Sequence, residues 1–205
     1  MDGQERRGKD GRYPDVIAFS RQIDRSIMGT ARSPIFKNGI HEMASRGDLE
    51  KVTELLNAGA RQFRDAKGQT PLYLAVKGGH RSVVELLLDR GATQEAEHKR
   101  KTPLYIASYR GHLDIARLLL EQGADMSPTE NGTTPLMIAC YCGHLSLARL
   151  LVDHGADINA KTWKYGNTAL IYAAKRNRRQ CLTFLLEHGA DIFISNKVFN
   201  VFQFC

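Results

Sequence analysis

The segment TPLYIASYRGHLDIARLLLEQGAD, residues 102–125, has two close copies elsewhere in the same chain. TPLYLAVKGGHRSVVELLLDRGAT begins at Thr70, and TPLMIACYCGHLSLARLLVDHGAD begins at Thr134. A Gly-Ala pair recurs at steps of 32, 32, 32 and 34 residues, at Gly59, Gly91, Gly123, Gly155 and Gly189. A period of this length is the sequence signature of a repeat protein, in which successive units stack on one another.

Each copy predicts two short helices. The pair Thr102-Pro103 favours a helix start, because the threonine hydroxyl can cap the first turn and proline is tolerated at the first helical position. Gly111-His112 is expected to end this helix and to begin a second one, which carries leucines at helical spacing. Gly123 then suits the left-handed residue at a helix C-terminus. The polar residues before the next threonine are left for a turn or hairpin.

The pattern T-P-L-x-x-A, then G-H, then L-L-x-x-G-A resembles the ankyrin repeat, and it covers residues 38–199. The resemblance implies an all-α repeat solenoid of stacked helix-turn-helix units, with short β-hairpin fingers and a concave binding surface. We expect repeats to start near residues 38, 70, 102, 134 and 168. The histidine that usually follows T-P-L in this family is replaced here by Tyr73, Tyr105, Met137 and Ile171.

The two ends of the chain differ from the repeats. We expect residues 1–36 to be a disordered basic N-terminus. Within it, residues 14–28 carry an apolar stripe typical of a helix that caps the first repeat, and a short partner-binding helix is the alternative. Residues 37–199 form the predicted ankyrin-repeat domain. Residues 200–205 match the truncated start of a further repeat.

Composition limits the classes of protein. The formal net charge of +7 favours acidic partners or surfaces. No apolar run approaches the ~18 residues of a membrane span, and the N-terminus lacks the apolar core of a secretory signal. We therefore predict an intracellular protein, in the cytoplasm, with the nucleus as a further compartment. The four cysteines are too few and too irregularly spaced for a disulfide framework or a zinc site.

Catalytic and metal-binding patterns are missing from the sequence. It contains no phosphate-binding glycine loop, no nucleophile-elbow motif and no zinc-protease motif, so we predict no enzymatic activity and no cofactor. His80, His112 and His144 occupy equivalent positions in successive repeats. Because packed helices lie ~8–10 Å apart, these histidines cannot share one ion. We predict that they form hydrogen bonds between repeats and that the chain binds no metal.

The positions that the repeat leaves variable are the candidate binding residues. In the family that this chain resembles, the finger tips and the solvent-facing residues late in each first helix line the concave surface. Those positions hold nine Lys or Arg and three tyrosines, a composition typical of a binding hot spot. They are Arg46, Lys67, Lys77, Lys99, Lys101, Tyr109, Arg110, Tyr141, Lys164, Tyr165, Lys175 and Arg176.

The predicted function is a non-catalytic, monomeric interaction module or scaffold that binds an acidic protein partner on this face. Two alternatives stay open: a basic groove that binds nucleic acid, and the interaction portion of a larger or alternatively spliced multidomain protein. LVDHGADIN, residues 151–159, also matches a pattern at which ankyrin domains resemble substrates of an asparaginyl hydroxylase. That resemblance implies hydroxylation of Asn159, and a hydrogen bond of Asn159 within the finger is the alternative.

Overall fold

A computed structural model describes residues 34–94 and 101–194 of the 205-residue chain, with side chains described from residue 39 onwards. The chain divides into two compact units, Met1–Gly39 and Ile40–Cys205. The capping helix predicted at residues 14–28 and the partial repeat predicted at residues 200–205 lie outside the described residues.

Ten helices are assigned in the two described ranges, and they form five consecutive pairs. The pairs are α1 (Pro34–Arg46) with α2 (Leu49–Asn57), α3 (Pro71–Gly78) with α4 (Arg81–Asp89), α5 (Pro103–Arg110) with α6 (Leu113–Glu121), α7 (Pro135–Cys142) with α8 (Leu145–Asp153), and α9 (Ala169–Lys175) with α10 (Arg179–Glu187). The predicted all-α repeat architecture is confirmed. We call the earlier member of each pair its first helix and the later member its second helix.

The first helices of the later repeats start where the threonines predict. The hydroxyl of Thr102 accepts a hydrogen bond from the backbone N–H of Tyr105 at 3.1 Å, and Pro103 occupies the first turn. Thr70, Thr134 and Thr168 make equivalent bonds. Each bond satisfies one of the backbone donors that a helix start leaves unpaired.

The first repeat differs from the prediction. Its first helix begins at Pro34, whereas the repeat register placed the start near residue 38. No Thr-Pro pair stands at residues 38 and 39, so the usual start signal is missing there. Pro34 is the residue of this segment that suits the first helical position.

Most first helices are followed by a left-handed glycine, and this glycine contacts the next repeat. Gly111 has a left-handed backbone (φ 79°), and the ring of His144 from the following repeat lies directly against it. Gly79 has the same relation to His112. Because the site combines a positive φ with this close approach, only glycine fits it without strain.

The residue that follows this glycine links neighbouring repeats. Nε2 of His80 lies 2.9 Å from the backbone oxygen of Ser45, so the predicted hydrogen bond between repeats is present at this histidine. In the last repeat the equivalent residue is Arg178, which donates from Nε to the backbone oxygen of Tyr141 at 3.2 Å. Arg178 was not predicted from the sequence, because the repeat pattern has histidine at this position.

The core is built from the same few positions in every repeat. Leu87, Leu119, Leu151 and Leu185 of the second helices are fully buried, as are the small residues Ala75, Ala107, Ala139 and Ala173 of the first helices. First helices pack against first helices of the next repeat, and second helices against second helices. Each repeat therefore buries its apolar side chains against its neighbours, as expected of a stacked array.

The fingers that connect the repeats are turns. In the first finger the backbone N–H of Asp65 donates to the oxygen of Gln69 at 2.8 Å, and Gly68 turns the chain with a φ of 74°. Thr129 and Thr133 close an equivalent turn. No strand is assigned in residues 34–94 or 101–194. The predicted β-hairpins are thus short closed turns in this part of the chain.

Candidate binding face

Four of the first helices carry no negative charge of their own. Helices α3, α5, α7 and α9 contain no Asp or Glu, and three of them bring Lys77, Arg110 and Lys175 to their last turns. Second helices such as α6, with Asp114 and Glu121, carry acidic residues instead. We call the solvent-accessible side chains of these four first helices, with the fingers that precede them, the first-helix face.

A pocket of about 270 Å³ lies between the second and third repeats on this face. Helix α3 contributes Tyr73 and Lys77, which lie one turn apart, and Lys101 belongs to the residues that precede α5. The whole lining consists of Tyr73, Lys77, Lys101, Tyr105, Ile106, Tyr109 and Arg110. The described residues of this lining include three cationic side chains and no carboxylate.

The cations of the pocket lie close to its aromatic rings. The ammonium of Lys101 is 5.8 Å from the centroid of the Tyr105 ring, and the guanidinium carbon of Arg110 is 5.9 Å from that of Tyr109. Both distances are within the range of a cation–π attraction. The ring of Tyr109 remains 48% exposed, so it is available to a partner.

Tyr105 is a half-buried tyrosine of the pocket. Burial raises the pKa of its hydroxyl to about 12, and the neighbouring Tyr172 and Cys142 add to the increase. A phenol with this pKa stays protonated at neutral pH, so its hydroxyl can donate a hydrogen bond to an anion.

A second aromatic cluster lies in the fourth and fifth repeats. The ring of Tyr141 meets Tyr172 edge-on, with centroids 5.8 Å apart and an interplanar angle of 86°. The guanidinium carbon of Arg176 lies 4.3 Å from the centroid of the Tyr141 ring. Tyr141 is therefore half-buried and held between two side chains, whereas Tyr109 projects further into solvent.

The fourth finger exposes two further aromatic rings. Trp163 is 60% exposed and Tyr165 is 45% exposed, and the ammonium of Lys164 lies 5.0 Å from the Tyr165 ring centroid. The backbone N–H of Trp163 donates to the oxygen of Asn131 in the preceding finger at 3.3 Å. This bond connects the third and fourth fingers and positions the backbone of Trp163.

The structure brings some of the predicted binding residues together and separates others. Lys77, Lys101, Tyr109 and Arg110 line the pocket, Tyr141 and Arg176 form the second cluster, and Lys164 and Tyr165 lie in the fourth finger. Lys175 donates from Nζ to Oδ1 of Asn167 at 3.2 Å, in the last repeat.

Three predicted residues lie away from these groups or cannot be placed. Arg46 pairs with Glu42 one turn earlier in α1, at 2.7 Å. Lys67 is exposed in the turn of the first finger, where its backbone N–H donates to Oδ1 of Asp65. Lys99 lies outside the described residues.

Four residues of the binding face were not predicted from the sequence. Tyr73, Tyr105 and Ile106 line the pocket, and Trp163 is the most exposed ring of the fourth finger. Tyr73 and Tyr105 stand where related repeats usually have histidine, and that departure was the available signal. Trp163 lies in a finger two residues longer than the others, which was a second signal.

Asn159 connects the last two repeats. Its Nδ2 donates to the backbone oxygen of Gly189 at 3.3 Å, and its Oδ1 accepts from the backbone N–H of Asp191 at 2.9 Å. Both ends of the side-chain amide are therefore engaged by the following repeat rather than by its own finger. Hydroxylation of Asn159 stays a prediction.

Across residues 34–94 and 101–194, no three His, Cys, Asp or Glu side chains are grouped closely enough to hold a metal ion. None of the ten helices there combines the length and apolar character that crossing a membrane requires.

Comparison with known proteins identifies the repeat. A search of curated proteins finds no match to the chain. The family of ankyrin repeats (3 copies) matches residues 40–130 and 126–196, which together span more than half of the chain. These residues include the threonine caps, the left-handed glycines and the buried leucines described above. The chain therefore belongs to the ankyrin-repeat family.

Proposed function

We propose that the protein is a non-catalytic interaction module whose first-helix face binds an acidic segment of a protein partner. Ankyrin repeats are generally protein–protein interaction modules. The observation that carries the proposal is the pocket between the second and third repeats, where Lys77, Lys101 and Arg110 surround tyrosine rings. An acidic segment would supply the negative charge that the described lining lacks.

The aromatic and cationic residues of this face have different effects on binding. Tyrosine offers a large contact area with few rotatable bonds and a hydroxyl to pair, so Tyr109 suits a binding anchor. The exposed cations at the pocket rim attract a negatively charged segment from a distance and mainly raise the association rate. We therefore expect affinity to depend on Tyr109 and the salt sensitivity of association to depend on Lys77 and Arg110.

A selection from a random peptide library tests the proposal without knowledge of the partner. The charge-reversed variant is Lys77→Glu with Arg110→Glu. Its matched control is Arg81→Glu with Arg117→Glu, which changes exposed arginines of the second helices by the same total charge. We expect the unmodified protein and the control to enrich peptides rich in Asp and Glu, and the charge-reversed variant to lose them. Enrichment of neutral peptides, or of the same acidic peptides by the charge-reversed variant, contradicts the proposal.

Nucleic acid is the alternative partner, and the same variants distinguish it. Binding to a phosphate backbone releases counterions, so its affinity falls log-linearly with salt. A mixed-sequence single-stranded oligonucleotide is titrated in parallel with the selected peptides. If it binds more tightly than the peptides at physiological salt, and the charge-reversed variant loses this binding, the first-helix face is a nucleic-acid groove. An interaction portion of a larger protein would give the same peptide result as a free-standing module.

A further inference from the structure

The pocket between the second and third repeats is small for a binding groove. Its volume of about 270 Å³ is below the roughly 300–1,000 Å³ of pockets that hold drug-sized ligands. An extended peptide would pass across it rather than fit inside it. The pocket therefore has the size to receive one side chain of a segment that lies along the first-helix face.

We propose that this pocket binds a phosphorylated side chain of the protein partner. This inference rests on the proposed function and names the group that the face recognises. A phosphomonoester carries about −1.5 to −2 charges at neutral pH and presents three strong acceptor oxygens. Lys77, Lys101 and Arg110 together offer three positive charges around the same space. A single carboxylate would leave most of that charge uncompensated, whereas a phosphoryl dianion balances it.

The three cations have no carboxylate partner within the described structure. The ion pair found in residues 39–94 and 101–194 joins Arg46 to Glu42, in the first repeat. Lys77 and Arg110 are exposed at the ends of α3 and α5, and these two helices contain no acidic residue. Within the described residues, an incoming anion therefore meets charges that no ion pair already neutralises.

The geometry of Arg110 and of two tyrosines of the lining also suits a phosphoryl group. Arg110 carries a planar guanidinium, whose fork of donors matches the geometry of a phosphoryl group. Tyr105 lines the pocket, and a phenol is protonated at neutral pH, so its hydroxyl can donate a charge-assisted hydrogen bond. The exposed ring of Tyr109 provides an aromatic wall, and aromatic pairs gain energy in offset or edge-to-face contact. Phosphotyrosine should therefore bind more tightly than phosphoserine.

The test uses fluorescein-labelled peptide libraries that share random flanks and differ only at the central residue. That residue is phosphotyrosine, phosphoserine, tyrosine or glutamate, and affinity is measured by fluorescence anisotropy. We expect the phosphotyrosine peptides to bind at least about tenfold more tightly than the tyrosine and glutamate peptides, the scale of one or two hydrogen bonds to a charged group. Arg110→Ala and Lys101→Ala should remove most of that gain, and Arg110→Lys should keep part of it.

Three controls separate recognition of phosphate from general effects. Arg117→Ala removes an exposed arginine of α6 and should leave the phosphotyrosine gain unchanged. Thermal melts of every variant check that the repeats remain folded. Inositol hexakisphosphate serves as a competitor, because a free polyphosphate has the same chemistry as a phosphorylated side chain. We expect it to compete less strongly than the phosphotyrosine peptide, because it cannot use the rest of the first-helix face.

Three results would overturn the inference, and they separate it from the proposed function. If glutamate peptides bind as tightly as phosphotyrosine peptides, the face recognises acidic segments and the phosphate inference alone fails. If inositol hexakisphosphate binds more tightly than any peptide and depends on Lys101 and Arg110, the pocket serves a free polyphosphate. If no library binds, the inference and the proposed function fail together.

Discussion

Gly111 and Gly123 form a matched pair for alanine substitution within one repeat. Both have a left-handed backbone, with φ values of 79° and 76°. Their surroundings differ: a Cβ at Gly111 would lie 2.6 Å from Cε1 of His144, whereas nothing lies within 4 Å of a Cβ at Gly123. Comparison of the two substitutions therefore isolates the contact between one repeat and the next.

The expected losses of stability follow from these distances. A left-handed backbone costs a non-glycine residue roughly 1–2 kcal/mol, so Gly123→Ala should lower the free energy of unfolding by about that amount. Gly111→Ala bears the same cost and must also displace the imidazole of His144, a form of overpacking that costs about 1–3 kcal/mol. Its total loss should be about 2–5 kcal/mol, a large fraction of the stability of an ordinary domain.

Urea denaturation followed by far-UV circular dichroism measures both losses. A third variant combines Gly111→Ala with His144→Ala, which removes the ring that the new methyl group meets. The effects of Gly111→Ala and His144→Ala on the free energy of unfolding should be non-additive. In the double variant the imidazole is gone, so the new methyl group causes no overpacking. Equal losses for Gly111→Ala and Gly123→Ala, with additive behaviour in the double variant, would contradict this prediction. The imidazole would then be free to move aside and would not fix the contact between repeats.

Three further predictions concern the binding face and its modification. Tyr109→Ala should weaken the binding of a selected acidic peptide by about 2 kcal/mol in isothermal titration calorimetry, the usual scale of a hot spot; an unchanged affinity would show that the ring is no anchor. Tyr105 should ionise near pH 12 in an ultraviolet titration, and Tyr105→Phe should remove this late step. Because the pKa of Tyr105 is raised on folding, its contribution to stability is fully present below about pH 10 and is lost as the pH rises towards 12. Exposure to an asparaginyl hydroxylase should add one oxygen to the intact mass at Asn159, with Asn159→Ala as the control, and a mass without gain contradicts this prediction.

The local structure could be predicted from the sequence wherever one residue type has a strong conformational preference. Thr102 with Pro103 marks a helix start and Gly111 a left-handed helix end, because capping and positive φ depend on a few neighbouring residues. The start of α1 at Pro34 was missed because the first repeat lacks the Thr-Pro pair. The stacking of successive helix pairs could be predicted from the repeat period of the sequence.

The binding face could be predicted only in part. Repeat register places Tyr109 and Arg110 late in a first helix, where side chains reach solvent, and the structure puts both at the pocket. Tyr73 and Tyr105 lie in the first turn of their helices, at the position where the family usually has histidine. Whether a ring there is covered or borders a pocket depends on the side chains of the next repeat, which a one-dimensional pattern does not specify.

The single tryptophan of the chain gives the protein a built-in fluorescent reporter. The indole of Trp163 is 60% exposed at the fourth finger, two repeats away from the pocket lined by Lys77 and Lys101. A small anion that enters the pocket should leave its emission unchanged, because it reaches no part of the fourth finger. A partner long enough to extend along the fingers should cover the indole and shift its emission to shorter wavelength. Unlabelled protein can thus distinguish occupancy of the pocket from occupancy of the whole face.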